Sequence, residues 1–122
     1  MIGIDTVLIS RIRKAIQSEA FVRRVFTAAE QAYCSSRSDR AASYAGLFCV
    51  KEAAVKALGV GLGSGIMPND IEVTHAPNGA PMLNYYRGAV KMFMPYNSSV
   101  SISHDGDYAV AAVELTPKGD DR

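Results

Sequence analysis

The middle of the chain carries the feature that most constrains its fold. Over residues 39–58, apolar residues and alanines recur at the spacing of an α-helix, and Gly59 follows as a residue that commonly ends helices. The positions expected to face inward are Ala41, Ala42, Ala45, Phe48, Cys49, Ala53 and Val55. We therefore predict one long central helix around which the other segments pack.

The segments on both sides of this helix alternate apolar and polar residues, as half-buried β-strands do. One strand is expected over residues 1–8, at the start of the chain. Two hairpins with glycine turns are expected later, pairing residues 71–74 with 81–83 and residues 98–103 with 108–115. In the second hairpin the residues expected to be buried are Val100, Ile102, Val110 and Ala112. These segments predict an antiparallel sheet.

Two shorter helices complete the prediction. The first begins near Ser10, whose hydroxyl can cap it, and the second covers residues 85–94. Their expected inward residues are Ile12, Ala15, Ile16, Val90, Phe93 and Met94. A chain of 122 residues can bury a core without disulfide bonds. We predict an α+β fold, an antiparallel sheet packed with a long central helix, in a single domain over residues 1–116, with a mobile C-terminal tail at 117–122.

The composition excludes several classes of function. A formal net charge of +1 argues against a general nucleic-acid binder. No stretch of the sequence has the pattern of a membrane span or a signal peptide. Cys34 and Cys49 lack the spacing of metal ligands, so we expect them to be reduced and structural. These features predict a cytoplasmic protein that binds neither nucleic acid nor membrane.

One segment is strongly basic, although the chain as a whole is nearly neutral. Between Ser10 and Arg24 the single acidic residue is Glu19. Five basic residues accompany it, namely Arg11, Arg13, Lys14, Arg23 and Arg24. We call these five residues the basic surface. Such a surface is either solvated without a partner or attractive to an acidic one.

Three separate segments carry side chains suited to a metal and phosphate site. Asp5 lies in the first predicted strand, Glu52 and Lys56 lie one turn apart on the central helix, and Ser103-His104 lie near the end of a later strand. Taken alone, Glu52 and Lys56 are also typical of a solvent-facing ion pair. None of the three segments supplies such a site by itself.

Two further motifs lie close to these segments in the sequence. Glycines recur after the central helix, where they would let a diphosphate approach backbone amides or would serve as a plain linker. They are Gly59, Gly61, Gly63 and Gly65. Thr27 and Glu30 have the spacing of a helix capping box, which explains Glu30 in structural terms.

Four motifs follow one another in a recognisable order. They are Gly3-Ile4-Asp5, Phe26-Thr27-Ala28-Ala29-Glu30, Lys51-Glu52-Ala53 through Lys56-Ala57-Leu58-Gly59, and Ser101-Ile102-Ser103-His104. As an ordered set spanning nearly the whole chain, they resemble the bacterial holo-acyl-carrier-protein synthases, which are small 4′-phosphopantetheinyl transferases. The resemblance implies transfer of the phosphopantetheine group from coenzyme A to a serine of apo acyl carrier protein, in fatty acid biosynthesis. Adenosine 3′,5′-bisphosphate would be the other product.

The resemblance also implies roles for the candidate residues. Asp5 and Glu52 would hold Mg²⁺, which prefers oxygen ligands and takes one or two carboxylates together with phosphates and waters. Lys56 would hold the diphosphate as a catalytic cation, in preference to Lys51, which lies nearly a third of a turn from Glu52. The remaining contacts to coenzyme A would come from Gly59, Gly63, Ser103 and His104.

Several details stay open. The serine proton would pass to Glu52, to a water held by the metal, or to His104. Acyl carrier proteins are acidic, so the basic surface would steer one toward the enzyme. Members of the family are typically homotrimers with active sites between subunits. The chain departs from the family at Leu47, where an arginine is usual, and this removes a possible phosphate contact.

Two other functions are compatible with these residues. A coenzyme A or nucleotide-binding module without transfer activity would be consistent with Leu47. A metal-dependent pyrophosphate hydrolase would need the same carboxylates, with water as the attacking group. The basic surface favours a protein acceptor over water. A Ser-His-Asp hydrolase at residues 103–105 is excluded, because neighbours along a strand point to opposite faces of the sheet.

Overall fold

A computed structural model describes residues 1–60 and 65–119 and shows an α+β fold. Its elements in chain order are β1 (Ile2–Leu8), α1 (Ile9–Ala15), α2 (Glu19–Val25), α3 (Ala28–Ser35), α4 (Arg40–Leu58), a 3-10 turn (Pro68–Asp70), β2 (Ile71–His75), β3 (Pro81–Tyr85), α5 (Gly88–Phe93), β4 (Tyr96–Asp105) and β5 (Tyr108–Pro117). The predicted fold class, an antiparallel sheet packed against a long helix, is confirmed.

The predicted central helix is α4, and its ends follow from local chemistry. The side chain of Asp39 accepts a hydrogen bond from the backbone N–H of Ala42 at 3.1 Å, which caps the first turn. Gly59 ends the helix in the left-handed conformation with φ of 77°, which a residue without a Cβ adopts most easily. The expected inward residues are buried, except that Ala42 and Phe48 are half-buried. The prediction for this helix was therefore accurate.

Three strands form the main sheet in the order β1-β5-β4, with both pairs antiparallel. Helix α4 crosses one face of it diagonally. A Cβ on Gly3 of β1 would lie 1.9 Å from the carbonyl oxygen of Ala53, so the last turns of α4 rest directly on β1. A Cβ on Gly46 would lie 3.2 Å from Nε2 of His104, so the first half of α4 rests on β4. These close contacts allow the helix to approach both edges of the sheet.

The buried face of β5 is opposite to the predicted one. Its buried residues are Ala109, Ala111, Val113 and Leu115. Val110 and Ala112 were expected to be buried, but they are half-buried on the outer face of the sheet. Both faces of this strand are apolar in sequence, so alternation alone does not identify the face that α4 covers. The error is a shift of one residue, which exchanges the two faces.

Two predictions about the short helices were wrong. Leu8 occupies the capping position of α1 and makes no side-chain cap, so Ser10 lies inside the helix. The backbone N–H of Ile9 instead donates to the carbonyl oxygen of Asp107 at 2.8 Å, in the β4–β5 turn. Helix α5 is shorter than expected, and it exposes Val90 and Met94. Its inward residues are Ala89 and Phe93, one helical turn apart.

The first hairpin and the two cysteines agree with the predictions from the sequence. Strands β2 and β3 form the predicted first hairpin, a separate two-stranded sheet. Cys34 and Cys49 are free and buried, and burial raises the pKa of each thiol to about 12. The backbone N–H of Lys118 donates to the carbonyl oxygen of Pro95, although residues 120–122 of the expected tail lie outside the described residues. None of the described helices is long and apolar enough to cross a membrane.

Candidate functional site

The structure brings Asp5, Glu52 and Lys56 together at the β1 edge of the sheet. Nζ of Lys56 donates to Oδ1 of Asp5 at 3.0 Å and to the carbonyl oxygen of Ile4 at 3.1 Å. The Lys56 side chain is 53% exposed, whereas that of Asp5 is 15% exposed. The carboxylate is thus fixed on the strand, while the ammonium group lies at the surface and can reorient. We call these three residues the carboxylate cluster.

Electrostatics within the carboxylate cluster favour an added cation. Burial raises the pKa of Glu52, and the neighbouring Asp5 carboxylate raises it further, while Lys56 lowers it. Two carboxylates therefore share one ammonium group. No three histidine, cysteine, aspartate or glutamate residues within 1–60 and 65–119 form a metal-binding group. Two carboxylates suit Mg²⁺, which takes its other ligands from phosphate and water.

His104 lies at the other end of helix α4. Its Nε2 is 2.9 Å from the carbonyl oxygen of Ala42, so the ring is held against the first turn of the helix. Ala42 and Glu52 are ten residues apart on α4, which corresponds to about 15 Å along the helix axis. Within one copy of the chain, His104 and the carboxylate cluster therefore lie far apart. Ser103 points to the opposite face of β4, as the alternation of a strand requires.

His104 lines a groove of about 270 Å³, the second part of the candidate site. The walls of this groove come from α3 and the residues after it, from the first half of α4, from the β2–β3 hairpin and from β4. The lining residues are Tyr33, Arg37, Ser43, Gly46, Leu47, His75, Gly79, Pro81, Val100, Ser101, Ile102 and His104. Leu47, the departure from the family pattern, is buried in the wall.

A stack of three side chains lines one end of the groove. The rings of Tyr33 and His75 are parallel within 10°, with centroids 4.0 Å apart, and the Arg37 guanidinium lies 5.3 Å from the Tyr33 centroid. Burial and the nearby Arg37 lower the pKa of His75, so its ring is neutral at pH 7. None of these three residues was predicted from the sequence. Tyr33 and Arg37 are four residues apart, but His75 lies in a different hairpin far along the chain, so no local spacing connects all three.

A buried ion pair joins the elements that form the groove. Nζ of Lys51 contacts both carboxylate oxygens of Glu30, at 2.8 and 3.0 Å, and both side chains are almost completely buried. The predicted capping box is confirmed, since Glu30 also accepts from the N–H of Thr27 at 2.9 Å. Burial lowers the pKa of Lys51, and the Glu30 carboxylate opposes this shift. From the sequence we predicted only a capping role for Glu30, and we placed Lys51 below Lys56 as a phosphate ligand.

The other predicted site residues lie outside both the carboxylate cluster and the groove. Gly59 is exposed, and its conformation is explained by the end of α4. Gly63 lies outside the described residues. All five residues of the basic surface are exposed on α1 and α2. Arg13 lies 3.5 Å from Asp39, and Arg23 lies 3.7 Å from Glu19. Both contacts are between exposed groups and leave the surface accessible.

Comparison with known sequences gives one consistent result. The sequence model of the 4′-phosphopantetheinyl transferase superfamily matches residues 1–113. The holo-[acyl-carrier-protein] synthase of Trichlorobacter lovleyi is 42% identical over 119 residues, covering 93% of this chain and 94% of that protein. The synthase of Chlorobaculum tepidum is 40% identical over 119 residues, covering 96% of this chain and 98% of that protein.

Comparison with solved structures agrees. The holo-[acyl-carrier-protein] synthase of Helicobacter pylori, crystallised with coenzyme A, matches with a TM-score of 0.85 and 36% identity, over 95% of this chain and all of that one (100%). The synthase of Bacillus anthracis in complex with coenzyme A (3′,5′-ADP) matches with a TM-score of 0.79 and 33% identity, over 93% of both chains. Residues 1–113, which the family model matches, include the positions of the carboxylate cluster and of the groove.

Proposed function

Because this chain belongs to the 4′-phosphopantetheinyl transferase superfamily, as a holo-[acyl-carrier-protein] synthase, we propose that the carboxylate cluster and the groove bind different parts of coenzyme A. The enzyme transfers the 4′-phosphopantetheine group from coenzyme A to apo acyl carrier protein. A serine hydroxyl of the carrier attacks the phosphorus that bears the pantetheine arm, and adenosine 3′,5′-bisphosphate leaves. This activity fits fatty acid biosynthesis.

The observation that carries the proposal is the carboxylate cluster of Asp5, Glu52 and Lys56. We infer that the two carboxylates hold Mg²⁺ and that Lys56 turns from Asp5 to the diphosphate of coenzyme A. Mg²⁺ would supply stabilisation of the negative charge on the departing phosphate. Lys56 supports this assignment because its exposed side chain carries a mobile positive charge next to the metal ligands.

The enzyme's own residues mainly bind and orient the reacting groups. Lys56 would neutralise one side of the diphosphate, so that the serine hydroxyl meets less repulsion as it approaches the phosphorus. Glu52 and His104 are both candidates for accepting the serine proton. Half-burial and the raised pKa of Glu52 make its carboxylate more basic than an exposed one. With Nε2–H donating to the carbonyl oxygen of Ala42, His104 would have Nδ1 free, either to accept the serine proton or, once protonated, to donate to a phosphate of the nucleotide.

The groove suits the nucleotide part of coenzyme A. Its stack of Tyr33 and His75 provides flat rings next to a space large enough for part of a nucleotide. Arg37 supplies a positive charge for a phosphate, at a groove where Leu47 offers none. We infer that Arg37 and His104 take the phosphate contacts that an arginine at position 47 would otherwise share.

The distance between the carboxylate cluster and the groove supports active sites that are shared between subunits. His104 and the carboxylate cluster lie at opposite ends of α4, so a single copy cannot easily present both to one coenzyme A molecule. The outer face of the sheet carries Ile2 and Ile4, which are 70% and 62% exposed. Exposed apolar patches of this kind mark protein interfaces. We infer a homotrimer in which the groove of one subunit faces the carboxylate cluster of its neighbour.

The basic surface would bind the acyl carrier protein. Its five residues are exposed on two consecutive helices, and an acidic carrier would be attracted to them before docking. The free thiols of Cys34 and Cys49 fit the reducing conditions of the cytoplasm, where we place the enzyme. The type of carrier protein would be decided by contacts at this surface.

Intact-mass spectrometry tests the proposal directly. Apo acyl carrier protein is incubated with the enzyme and coenzyme A, once with Mg²⁺ and once with a chelator. A mass gain of one phosphopantetheine group only in the presence of Mg²⁺ is the expected result. Transfer at an equal rate with chelator would contradict the metal assignment. Binding of coenzyme A without transfer to any carrier protein would instead indicate a binding module.

A further inference from the structure

The Glu30–Lys51 pair is the most deeply buried charged feature within the described residues. The exposed fraction of the two side chains is 0% for Glu30 and 1% for Lys51. The Lys51 ammonium group also lies within hydrogen-bond distance of the carbonyl oxygens of Pro68, at 3.1 Å, and of Ile71. Glu30 also accepts from the N–H of Val73 at 2.8 Å. The pair therefore has hydrogen-bond partners in four different segments of the chain.

Three of these segments, α3, α4 and β2, also carry residues that line the groove. Glu30 lies on α3, which carries Tyr33, and Lys51 lies on α4, whose first half forms another wall of the groove. Their backbone partners lie at the base of the β2–β3 hairpin, which ends at the groove with Gly79 and Pro81. One ion pair thus connects three segments that carry residues of the groove.

Stability alone does not explain such a pair. Removing two charges from water costs nearly as much as their attraction returns, and well-packed neutral residues are often at least as stable. What the pair provides is geometry, because a displaced carboxylate or ammonium group would lose several directional bonds at once. Other contacts also hold the hairpin, including the bond from Oγ1 of Thr27 to Glu72 at 2.6 Å and that from the hydroxyl of Tyr85 to Ser98 at 2.9 Å. Neither of these contacts involves α4.

We propose that Glu30 and Lys51 are positioning residues that fix the width of the groove and thereby the affinity of the enzyme for coenzyme A. The inference rests on the proposed binding of the nucleotide in this groove. Neither residue touches the ligand in this arrangement. Their effect is transmitted through the backbones of α3, α4 and β2, which they hold at fixed separation.

The test is a double variant, Glu30→Gln with Lys51→Met, which removes both charges and keeps the side-chain volumes similar. A single Lys51→Met change would leave a buried carboxylate without its cation and would destabilise the protein too strongly to be informative. In the double variant we expect the dissociation constant for coenzyme A, measured by isothermal titration calorimetry, to rise by about tenfold or more. We expect kcat at saturating coenzyme A to change by less than about threefold, because the carboxylate cluster is untouched.

A matched control distinguishes an effect on the groove from a general loss of stability. Arg87 and Asp70 form another ion pair, with 2.6 Å between Nε and Oδ1, whose Asp70 side chain is buried. This pair joins the base of the same hairpin to the start of α5, and neither residue lines the groove. The double variant Asp70→Asn with Arg87→Met should lower the urea midpoint and leave the affinity for coenzyme A unchanged. An equal loss of affinity in this control would overturn the proposal.

The other outcomes are also decisive. Wild-type affinity for coenzyme A in a folded Glu30→Gln, Lys51→Met variant would show that the pair does not set the groove. If that variant fails to fold, Glu30→Gln with Lys51→Gln is measured instead, since it also leaves no unpaired buried charge and the amide at position 51 still offers donors to the backbone carbonyl oxygens. Failure of both to fold would overturn the proposal by making the pair a folding determinant only. Failure of the wild type to bind coenzyme A would refute the proposed function of the groove instead.

Discussion

Mixed trimers of two defective variants test whether each active site combines two copies of the chain. Asp5→Ala removes a carboxylate from the cluster, and His104→Ala removes a side chain from the groove. Loss of a contact to a charged group such as a phosphate or a metal ion typically costs about 1.5–3 kcal/mol, which corresponds to a fall in turnover of roughly 10- to 150-fold. Each variant alone should therefore have little activity.

The expected recovery follows from the geometry of a ring. In a cyclic trimer, each site would pair the carboxylate cluster of one subunit with the groove of the next. A ring with two subunits of one variant and one of the other has a single junction where both parts are intact. Mixed trimers should therefore recover about one third of wild-type activity, whichever variant is in excess. If each site lay within one chain, no site in the mixture would be intact.

The assay uses two affinity tags. The variants are co-expressed with different tags and purified on both, so that only mixed assemblies remain, and transfer to apo acyl carrier protein is followed by intact mass. Light scattering confirms the oligomeric state, and a wild-type preparation carrying both tags serves as the reference. Activity no higher than that of the separate variants, in a confirmed mixed trimer, would refute the reasoning.

Three further changes have expected outcomes. Lys56→Met should raise the affinity of the free enzyme for Mn²⁺ by about two- to fivefold, because it removes the ammonium group that forms a salt bridge with Asp5. Mn²⁺ binding is measured by electron paramagnetic resonance without coenzyme A, and an unchanged affinity would contradict this prediction. Arg11→Glu with Arg24→Glu should raise KM for acyl carrier protein by about tenfold at low salt. If the KM of the wild-type enzyme did not depend on salt concentration, electrostatic attraction of the carrier to the basic surface would be contradicted. Gly3→Ala should lower the free energy of unfolding by about 3 kcal/mol or more, measured with urea, because its Cβ would overlap the backbone of α4.

Predictions that depend on neighbouring residues in the chain were the accurate ones. Asp39 and Gly59 marked the two ends of α4, and Thr27 with Glu30 marked the start of α3. Capping and turn formation involve groups a few residues apart, so their outcome depends little on the rest of the fold. Prediction failed at Ser10, because the free N–H group at the start of α1 is satisfied by Asp107 from a distant turn.

In the candidate site, too, local sequence signals predicted some residues, and only the packing of distant segments placed the others. Spacing placed Glu52 and Lys56 on one face of a helix, and the order of motifs added Asp5, which the structure brings into contact with Lys56. No local signal could place His104 at the opposite end of α4, because that depends on the diagonal crossing of helix and sheet. The contact of Tyr33 with His75 likewise requires two segments to pack side by side.

The sequence by itself determined the long central helix with its caps, the strands and their turns, the family, and the chemical groups available for a metal and a diphosphate. Only the tertiary structure decided which face of β5 is buried, that Glu30 and Lys51 pair inside the protein, and that the carboxylate cluster and the groove lie apart in one chain. The physical reason is the range of the interactions. Helix capping and strand alternation act over a few residues, whereas burial and charge pairing are set by which segments meet in space.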